Sequence, residues 1–499
     1  MAPSRPRVAA LLLAIVAPGA AGATGPFVCP AKGGLPWREF RSEHVQLRTD
    51  LEPARAAEMV RELELARSAV LQAAYVSPPA IPGAIHAVAF SDDDDYADVS
   101  PPKAAAYFTT LDGFTPTVVL PATLRARTRA VLIHEMTHHF SSFSLLRQPT
   151  WLDEGYAVYM ESMGTVTFGG KMTVGTVPEG IQIIAARADR VPVRDLLAWK
   201  QVDPAWGADL VRRYYASSWL LVHYLVNRQP AALGDFFRRL GRAEDPLAAW
   251  KASFPRWDPA LPGGLDDLED AVDAYGRGGE YQYRKLEVQV SPVVAEHAIH
   301  PAEVHAMRAA LLALRGEARS AQVRAEIAEA LSEDPGSPGA LAVMGMLRVR
   351  DDTLPLARVA VKSHPEDWRA WSALGNSLGP GTGAERLAAR RKAVALAPEE
   401  PLALLLLARD LEAANLPEEA APHALRLLRL APYASVVHET MASVAMRLEL
   451  CDAALRSQHR AIDTLSDRAP PQSRATAERL LGEYERRCTA RPTAPAAAP

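Results

Sequence analysis

The sequence predicts an α+β domain followed by an all-α domain of helical repeats. In the first 290 residues, short segments with strand-like alternation come before long segments with helical spacing. From about His300 the chain becomes rich in Ala and Leu and repeats itself. Its 499 residues are 48% hydrophobic and 23% charged, which is enough for two or three domains with apolar cores. We place the α+β domain at residues 24–290, the repeats at 300–488 and a Pro/Ala-rich, disordered tail at 489–499.

Within the α+β domain, the strands come mainly before the helices. Strands are predicted at His44–Arg48, Ile85–Phe90, Ala104–Thr110 and Pro116–Leu120. Helices without an internal breaker are predicted at Pro53–Tyr75, about Thr123–Phe143 and about Trp151–Met163. Thr165–Val177 is rich in Thr, Val and Gly and is typical of a hairpin. Because no βαβ alternation is evident, the pattern favours an α+β domain.

The N-terminus has the pattern of an export signal. Arg5 and Arg7 precede the apolar run Val8–Val16, which is too short to span a bilayer as a helix. The small residues of Ala21–Ala23 then predict cleavage after Ala23, so that residues 1–23 form a signal peptide. An uncleaved anchor is the alternative. Export predicts a periplasmic or secreted protein, in which disulfides are able to form.

The charge balance limits the partners of this protein. Lys and Arg total 55 against 59 Asp and Glu. A general nucleic-acid binder would have an excess of basic residues, so this balance argues against that class of protein. After the signal, no segment is long and apolar enough for a transmembrane helix, so we expect none in the mature chain.

The three cysteines leave one question open. Cys451 and Cys488 both lie in the C-terminal helical region and are able to form a disulfide, and Cys29 would then be left over. Buried free thiols are an equally good prediction from the sequence.

A metal-binding pattern lies in the second predicted helix. His134 and His138 are four residues apart, so both imidazoles face the same side of a helix and are able to bind one metal ion. Glu135 lies beside them, near enough to act as a base on a water at that metal. No Pro or Gly interrupts the chain from Ala122 to Phe143, which supports a continuous helix.

A second pattern supplies a third ligand. Glu154 lies in the segment Trp151–Ala157 (WLDEGYA), after a stretch with enough turn-forming residues to reverse the chain. Two His and one Glu leave the fourth position open for water, which is the arrangement of catalytic zinc. Asp153 is a candidate for the carboxylate that orients a ligand histidine.

Taken together, H-E-x-x-H and W-L-x-E-G-x-A resemble the gluzincins of the peptidase MA superfamily, which include the aminopeptidase-N-like enzymes. The resemblance covers roughly residues 40–285 and implies a thermolysin-like domain with one zinc ion held by His134, His138 and Glu154. It also implies that Tyr215, 61 residues after Glu154, stabilises the oxyanion. Packing in the core is the alternative for Tyr215.

One departure from this family affects the expected activity. The aminopeptidases carry a G-x-M-E-N stretch upstream of the zinc helix, where it holds the free amine of the substrate. No such stretch occurs in Ala104–Leu120. The resemblance therefore implies a zinc metallopeptidase in which Glu135 is the base, and it does not favour aminopeptidase activity.

The C-terminal half has its own period. Pro335, Pro365, Pro398 and Pro432 follow one another at steps of 30, 33 and 34 residues. Small and bulky residues recur at fixed offsets after them, as in Leu374-Gly375 and Leu407-Ala408. This pattern resembles the tetratricopeptide repeat, whose stacked helix pairs bind a protein partner or substrate. An irregular helical bundle is the alternative.

The sequence thus predicts an exported zinc metallopeptidase whose substrate is a peptide or protein and whose repeats bind a protein partner or substrate. The alternative is a catalytically inert peptidase-like domain in a repeat-based protein-binding scaffold. All four residues of the zinc site, His134, Glu135, His138 and Glu154, are present, which favours the enzyme.

Overall fold

The computed structural model describes residues 27–75, 80–102, 104–111, 113–165, 171–178, 180–181, 184, 189–200, 202–203, 205–316, 319–349, 353–379, 381–465 and 469–489. The predicted signal peptide and residues 490–499 of the predicted tail lie outside this range. The chain divides into two compact units, one ending at Asp334 and the other beginning at Pro335. In the described part of the chain, no helix combines the length and apolar character needed to cross a membrane.

The first unit contains a six-stranded sheet. Its strands are β1 (Arg38–Arg41), β2 (Val45–Thr49), β3 (Ile85–Phe90), β4 (Tyr107–Thr110), β5 (Pro116–Pro121) and β8 (Ala295–Ala298). They lie in the order β4-β5-β3-β2-β1-β8. The sheet is mixed, because β2 pairs parallel with β3 and β3 with β5, whereas the other pairs are antiparallel. The neighbouring strands β3 and β5 are mostly apolar because most of their residues are buried, whereas β2 alternates between buried and partly exposed residues.

The parallel pairing of β2 with β3 differs from the sequence-based expectation that βαβ units are absent. Helix α1 (Pro53–Ala74) connects the two strands, and Val45 pairs with Ile85 at the start of the register. A parallel pair requires such a crossover. The buried face of α1, which includes Met59 and Leu63, packs on this part of the core. The segment β2-α1-β3 is therefore a βαβ unit within a mixed sheet.

Ten further α-helices of the first unit lie in the described residues. They are α2 (Asp93–Val99), α3 (Ala126–Ser142), α4 (Thr150–Glu161), α5 (Val193–Ala198), α6 (Ala208–Arg228), α7 (Pro230–Gly241), α8 (Pro246–Ser253), α9 (Asp266–Gly278), α10 (Pro301–Ala313) and α11 (Ser320–Glu333). Short 3₁₀ helices lie at Pro30–Lys32, Ser162–Thr165 and Pro255–Trp257. Helices α3, α4 and α6 pack together and carry fully buried side chains, such as Phe140, Trp151 and Trp219.

The segment predicted as a hairpin forms a different pairing. Within the described residues of Thr165–Val177, Lys171–Val174 is a strand, β6. Its partner is β7 (Arg284–Glu287), which joins it in a two-stranded antiparallel sheet. The composition of β6 indicated a strand, but a partner more than a hundred residues away has no local sequence signal.

Helices α10 and α11 belong to the first unit, although the sequence placed the domain boundary between residues 290 and 300. The physical reason is Arg308 on α10, whose side chain is only 3% exposed. Its guanidinium lies 3.8 Å from the ring centroid of Phe27 and forms ion pairs with Asp98 of α2 and Glu326 of α11. A buried guanidinium requires such partners, and these tie both helices to the sheet-containing unit.

The second unit is entirely helical within the described residues. Its helices are α12 (Pro338–Leu347), α13 (Leu354–Ser363), α14 (Trp368–Ser377), α15 (Gly383–Leu396), α16 (Pro401–Ala413), α17 (Pro417–Leu430), α18 (Ser435–Arg447), α19 (Cys451–Asp463) and α20 (Pro471–Thr489). Successive helices pack against each other through small buried residues, among them Ala393, Ala408 and Ala420. These tandem helix pairs confirm the repeat fold.

The periodic prolines mark the ends of the repeats. Pro365, Pro398 and Pro432 each lie two residues after the last residue of a helix, namely α13, α15 and α17. Proline is common just beyond a helix because it cannot continue the hydrogen-bonding pattern. Leu407 and Ala408, which were predicted at repeat positions, are buried.

A disulfide joins the last two helices and answers the question that the sequence left open. Cys451 at the start of α19 is bonded to Cys488 near the end of α20. Tyr484 of α20 packs in the same apolar cluster, with Met446 of α18. Cys29 in the first unit is a buried free cysteine.

Candidate metal centre

The two histidines lie on one face of α3, as their spacing predicts. The Nε2 atoms of His134 and His138 are 3.0 Å apart, and their rings meet edge to face. Helix α3 is held in place by buried Leu132, Ile133 and Met136. The packing of these apolar residues in the core therefore fixes the helix, and with it the position of the two histidines.

Glu154 comes to the same point from α4. Its Oε2 lies 3.4 Å from Nε2 of His134 and 3.5 Å from Nε2 of His138. Ligands at about 2.1 Å from a tetrahedral zinc ion lie roughly 3.4 Å from one another. Two imidazole nitrogens and one carboxylate oxygen at this spacing fit three of the four positions of a zinc ion.

The other ring nitrogens of the two histidines contact carboxylates. Nδ1 of His138 lies 2.7 Å from Oδ1 of Asp153, and Nδ1 of His134 lies 2.6 Å from Oε1 of Glu161. When a metal ion replaces the proton on Nε2, each carboxylate accepts the Nδ1–H of its histidine and the Nε2 lone pair faces the metal position. Asp153 was a sequence candidate for this role, and Glu161 was missed. Because Glu161 lies seven residues after Glu154, two turns along α4, helical spacing provided a signal.

The electrostatics of the three groups favour a cation between them. Burial alone would lower the pKa of His134, but hydrogen bonds to Glu154 and Glu161 outweigh it and raise the pKa to about 9. Burial acts in the same way on His138, whose pKa is raised by Asp153 and Glu154. Burial would raise the pKa of Glu154, yet the two histidines hold it well below its usual value. The carboxylates around the two histidines thus favour positive charge at this point, carried either by protons on the rings or by a metal ion that replaces them.

Glu135 is the remaining member of the motif. Burial raises the pKa of its carboxyl group, although the charges of His134 and His138 partly offset that effect. Glu135 is therefore close enough to both histidines for an electrostatic interaction. It is not one of the three groups that converge at the metal position. A carboxyl group with a raised pKa is suited to taking up and returning a proton.

Tyr215 lies beside the same site. It is 3% exposed, and its ring is nearly parallel to that of His134, with the centroids 6.4 Å apart. Its position on α6 results from the packing of α6 against α4. The structure thus places Tyr215 next to a metal-ligand candidate, and both the core-packing role and the catalytic role fit that position.

A close helix crossing explains why glycine follows Glu154. A Cβ atom on Gly155 would lie 2.6 Å from the carbonyl oxygen of Ser218 and 3.0 Å from its Cβ. These distances are shorter than van der Waals contact, so α4 and α6 approach this closely only because residue 155 has no side chain. Gly155 and the small Ser218 therefore set how closely α4, which carries Glu154, approaches α6.

The Gly155→Ala substitution is expected to separate α4 from α6. Overpacking at such a crossing costs about 1–3 kcal/mol in the free energy of unfolding, and the shift also moves Glu154, so zinc affinity falls as well. Chemical denaturation and a zinc titration measure the two effects. In the control Gly234→Ala, on α7, the nearest atom is the end of a flexible Arg238 side chain at 4.0 Å, and stability stays the same or rises. Unchanged stability of Gly155→Ala would contradict the crossing geometry.

The Glu161→Gln substitution is expected to lower zinc affinity by about 10- to 100-fold, because the amide is a weaker acceptor for Nδ1–H of His134. Competition with a chelator of known affinity measures the change. The matched control is Glu58→Gln on α1, whose carboxylate pairs with Arg55. Equal zinc affinity in the two variants would show that Glu161 does not support the metal site.

Comparisons with known proteins give matches only among solved structures. No protein-family model matches the chain, and no curated protein matches it. TTC0263, a thermophilic TPR protein of Thermus thermophilus, is 14% identical, covers 37% of this chain and 98% of its own, and has a TM-score of 0.29. YrrB, described as a TPR protein with an unusual peptide-binding site, is 18% identical, with coverages of 35% and 90% and a TM-score of 0.27.

A third match is a human IFIT1 dimer with m7Gppp-AAAA. It is 14% identical, covers 63% of this chain and 74% of its own, and has a TM-score of 0.29. At such identities and TM-scores these likenesses carry no argument about function, and none of the three is described as a peptidase. The repeat fold of the second unit therefore rests on its own helices, and the metal centre on its own geometry.

Proposed function

We propose that this protein is an exported zinc-dependent metallopeptidase of the gluzincin type, with a thermolysin-like catalytic domain in its first unit. The observation that carries the proposal is the convergence of His134, His138 and Glu154 at distances that fit zinc ligands. The carboxylates of Asp153 and Glu161 on the outer nitrogens of the histidines support it further. A structural zinc site would have a fourth protein ligand, and among the described residues this cluster has three candidates.

Each residue has a distinct task in this mechanism. Zinc, when bound, supplies Lewis acidity to water and to the scissile carbonyl group. Glu135 accepts a proton from the attacking water and later returns it to the leaving nitrogen. Tyr215 donates a hydrogen bond to the oxyanion that forms on the carbonyl. Asp153 and Glu161 hold the histidines in one tautomer and one orientation.

The direct test is metal-dependent cleavage of peptides. Purified protein is analysed for zinc and incubated with a diverse library of blocked peptides, and the products are identified by mass spectrometry. We expect internal cleavage that stops after chelation and returns on addition of zinc. Protein that binds zinc and leaves every peptide intact would overturn the peptidase proposal.

The second unit is proposed to bind a protein partner or substrate. Tandem helix pairs stack into an extended surface suited to holding a peptide or a protein. The disulfide between Cys451 and Cys488 supports an oxidising, exported location, either periplasmic or secreted. The balanced charge of the chain speaks against a general nucleic-acid partner.

A second candidate function is a repeat-based binding scaffold with an inert peptidase-like domain. It is favoured by the size of the helical unit, which begins at Pro335 and holds tandem helix pairs of its own. The two candidates differ in one measurement. A scaffold captures its partner equally well with and without zinc and does not cleave it, whereas the peptidase cleaves only with zinc.

A further inference from the structure

A cavity lined by aromatic rings and carboxylates lies between α5 and α6. Trp199, Trp206 and Tyr214 form its aromatic lining, and its volume is about 430 Å³. Tyr214 contacts both indoles, with its ring centroid 4.9 Å from that of Trp199 and 4.5 Å from that of Trp206. This volume falls within the range of about 300–1,000 Å³ that is usual for small-ligand pockets.

The charges at this cavity favour a cation. Asp195 and Asp203 line it and are exposed, and Oδ1 of Asp203 accepts a hydrogen bond from the backbone N–H of Ala205. The faces of indole and phenol rings attract cations through their quadrupole, and Arg is the cation most often found there. Aromatic faces together with two carboxylates are therefore complementary to an alkylammonium or guanidinium group.

The cavity lies next to the metal centre. Trp199 contacts the ring of Tyr215 at 5.9 Å between centroids, and Tyr215 in turn stacks on His134. Tyr214 and Tyr215 are consecutive on α6, so their side chains leave the helix about 100° apart. One ring of this pair faces the metal ligands, and the other lines the cavity.

We propose that this cavity is a specificity subsite that binds the cationic side chain of an Arg or Lys residue in a peptide substrate, close to the bond to be cleaved. The inference rests on the proposed peptidase function in treating the bound peptide as a substrate. The binding of a cation depends only on the residues that line the cavity. Trp199, Trp206 and Tyr214 hold the flat or extended side chain, and Asp195 and Asp203 pair with its charge.

Two cations near the cavity oppose the binding of a further cation. Lys200 lines the cavity and is exposed, and the charge of Arg213, which pairs with Asp189 and Asp209, acts on Tyr214. Among the lining residues, two carboxylates and one ammonium leave a net negative charge. The Lys200→Gln substitution therefore strengthens binding of a cationic peptide by roughly twofold to threefold, as expected for exposed charges.

The experiment measures binding separately from cleavage. The zinc-loaded Glu135→Gln variant is titrated calorimetrically with a blocked peptide that has Arg at its centre. The same peptide with citrulline in place of Arg is the neutral isostere, and an unblocked Ala peptide supplies a free α-amine without a basic side chain. We expect the Arg peptide to bind about tenfold more tightly than the citrulline peptide, and the Ala peptide to bind no better than citrulline.

Substitutions of the lining residues test whether the cavity causes the preference for the Arg peptide over the citrulline peptide. Asp195→Asn combined with Asp203→Asn is expected to bring the ratio of Arg to citrulline affinity close to one. Trp206→Leu is expected to lower it about threefold or more. Asp270→Asn on α9 removes the same charge from an exposed carboxylate that does not line the cavity; it is the matched control and keeps the ratio.

The outcomes separate this inference from the proposed function. Equal affinities for the Arg and citrulline peptides would overturn the subsite even if the wild-type protein cleaves peptides. An Arg preference that both Asp substitutions leave unchanged would also overturn it. An Arg preference that the Asp substitutions abolish supports the cationic site, even if the wild-type protein proves to be inactive as a peptidase. Preferential binding of the unblocked Ala peptide would assign the cavity to an α-amine and overturn the side-chain proposal.

Discussion

Glu135→Gln is expected to lower kcat/KM for peptide cleavage by about 100- to 10,000-fold while the protein keeps its zinc. The amide has the size of the carboxylate but cannot accept the proton of the attacking water. Zinc is retained because the three converging ligand atoms belong to His134, His138 and Glu154. Zinc analysis and steady-state kinetics on the same preparation measure both parts of the result.

Two further variants sharpen this test. Glu135→Asp keeps the carboxylate but withdraws it by one methylene group, so it is expected to retain more activity than Glu135→Gln. Glu58→Gln, an exposed change of the same kind on α1, is expected to leave kcat/KM unaltered. Turnover by Glu135→Gln at the wild-type rate would remove Glu135 from the mechanism.

Glu154→Ala is expected to weaken zinc binding by more than about 100-fold. It removes one of three ligands, and this loss exceeds the roughly 10- to 100-fold effect of losing a carboxylate that only orients a ligand. It also removes the negative charge that lies between the two imidazoles. Chelator competition gives the affinity, and thermal unfolding gives a second readout, because zinc bound to the folded protein raises its Tm.

The comparison with Glu161→Gln makes the second prediction specific. Both variants lose a buried or half-buried carboxylate on α4, but only Glu154 reaches the Nε2 side of the histidines. We expect zinc to raise the Tm of Glu161→Gln at high concentration and to leave the Tm of Glu154→Ala almost unchanged. Equal zinc affinities in Glu154→Ala and the wild-type protein would exclude Glu154 as a ligand.

Features with a local cause were predictable from the sequence. The helix predicted at Thr123–Phe143 is α3, Ala126–Ser142, because its helical spacing has no breaker within it. The spacing of His134 and His138 determines that both imidazoles share one face of α3. The prolines of the second unit mark the helix ends because proline cannot continue a helix.

The part of the site that was missed depends on two elements at once. Glu161 and Glu154 share a face of α4, and that much is present in the sequence. Which histidine nitrogen Glu161 contacts depends on the angle and distance between α4 and α3. That geometry depends on how α4 packs against both α3 and α6, and no single segment encodes this packing.

The sequence by itself determined the repeat period, the helices of the metal centre and the three residues that converge there, because each follows from spacing within one segment or from a motif. Only the tertiary structure decided that β2 pairs parallel with β3, that β6 pairs with β7, and that α10 and α11 belong with the sheet. It also decided that Trp199, Trp206 and Tyr214 line one cavity. Such pairings join residues far apart in the chain, and they are selected by the burial of the whole core rather than by local preference.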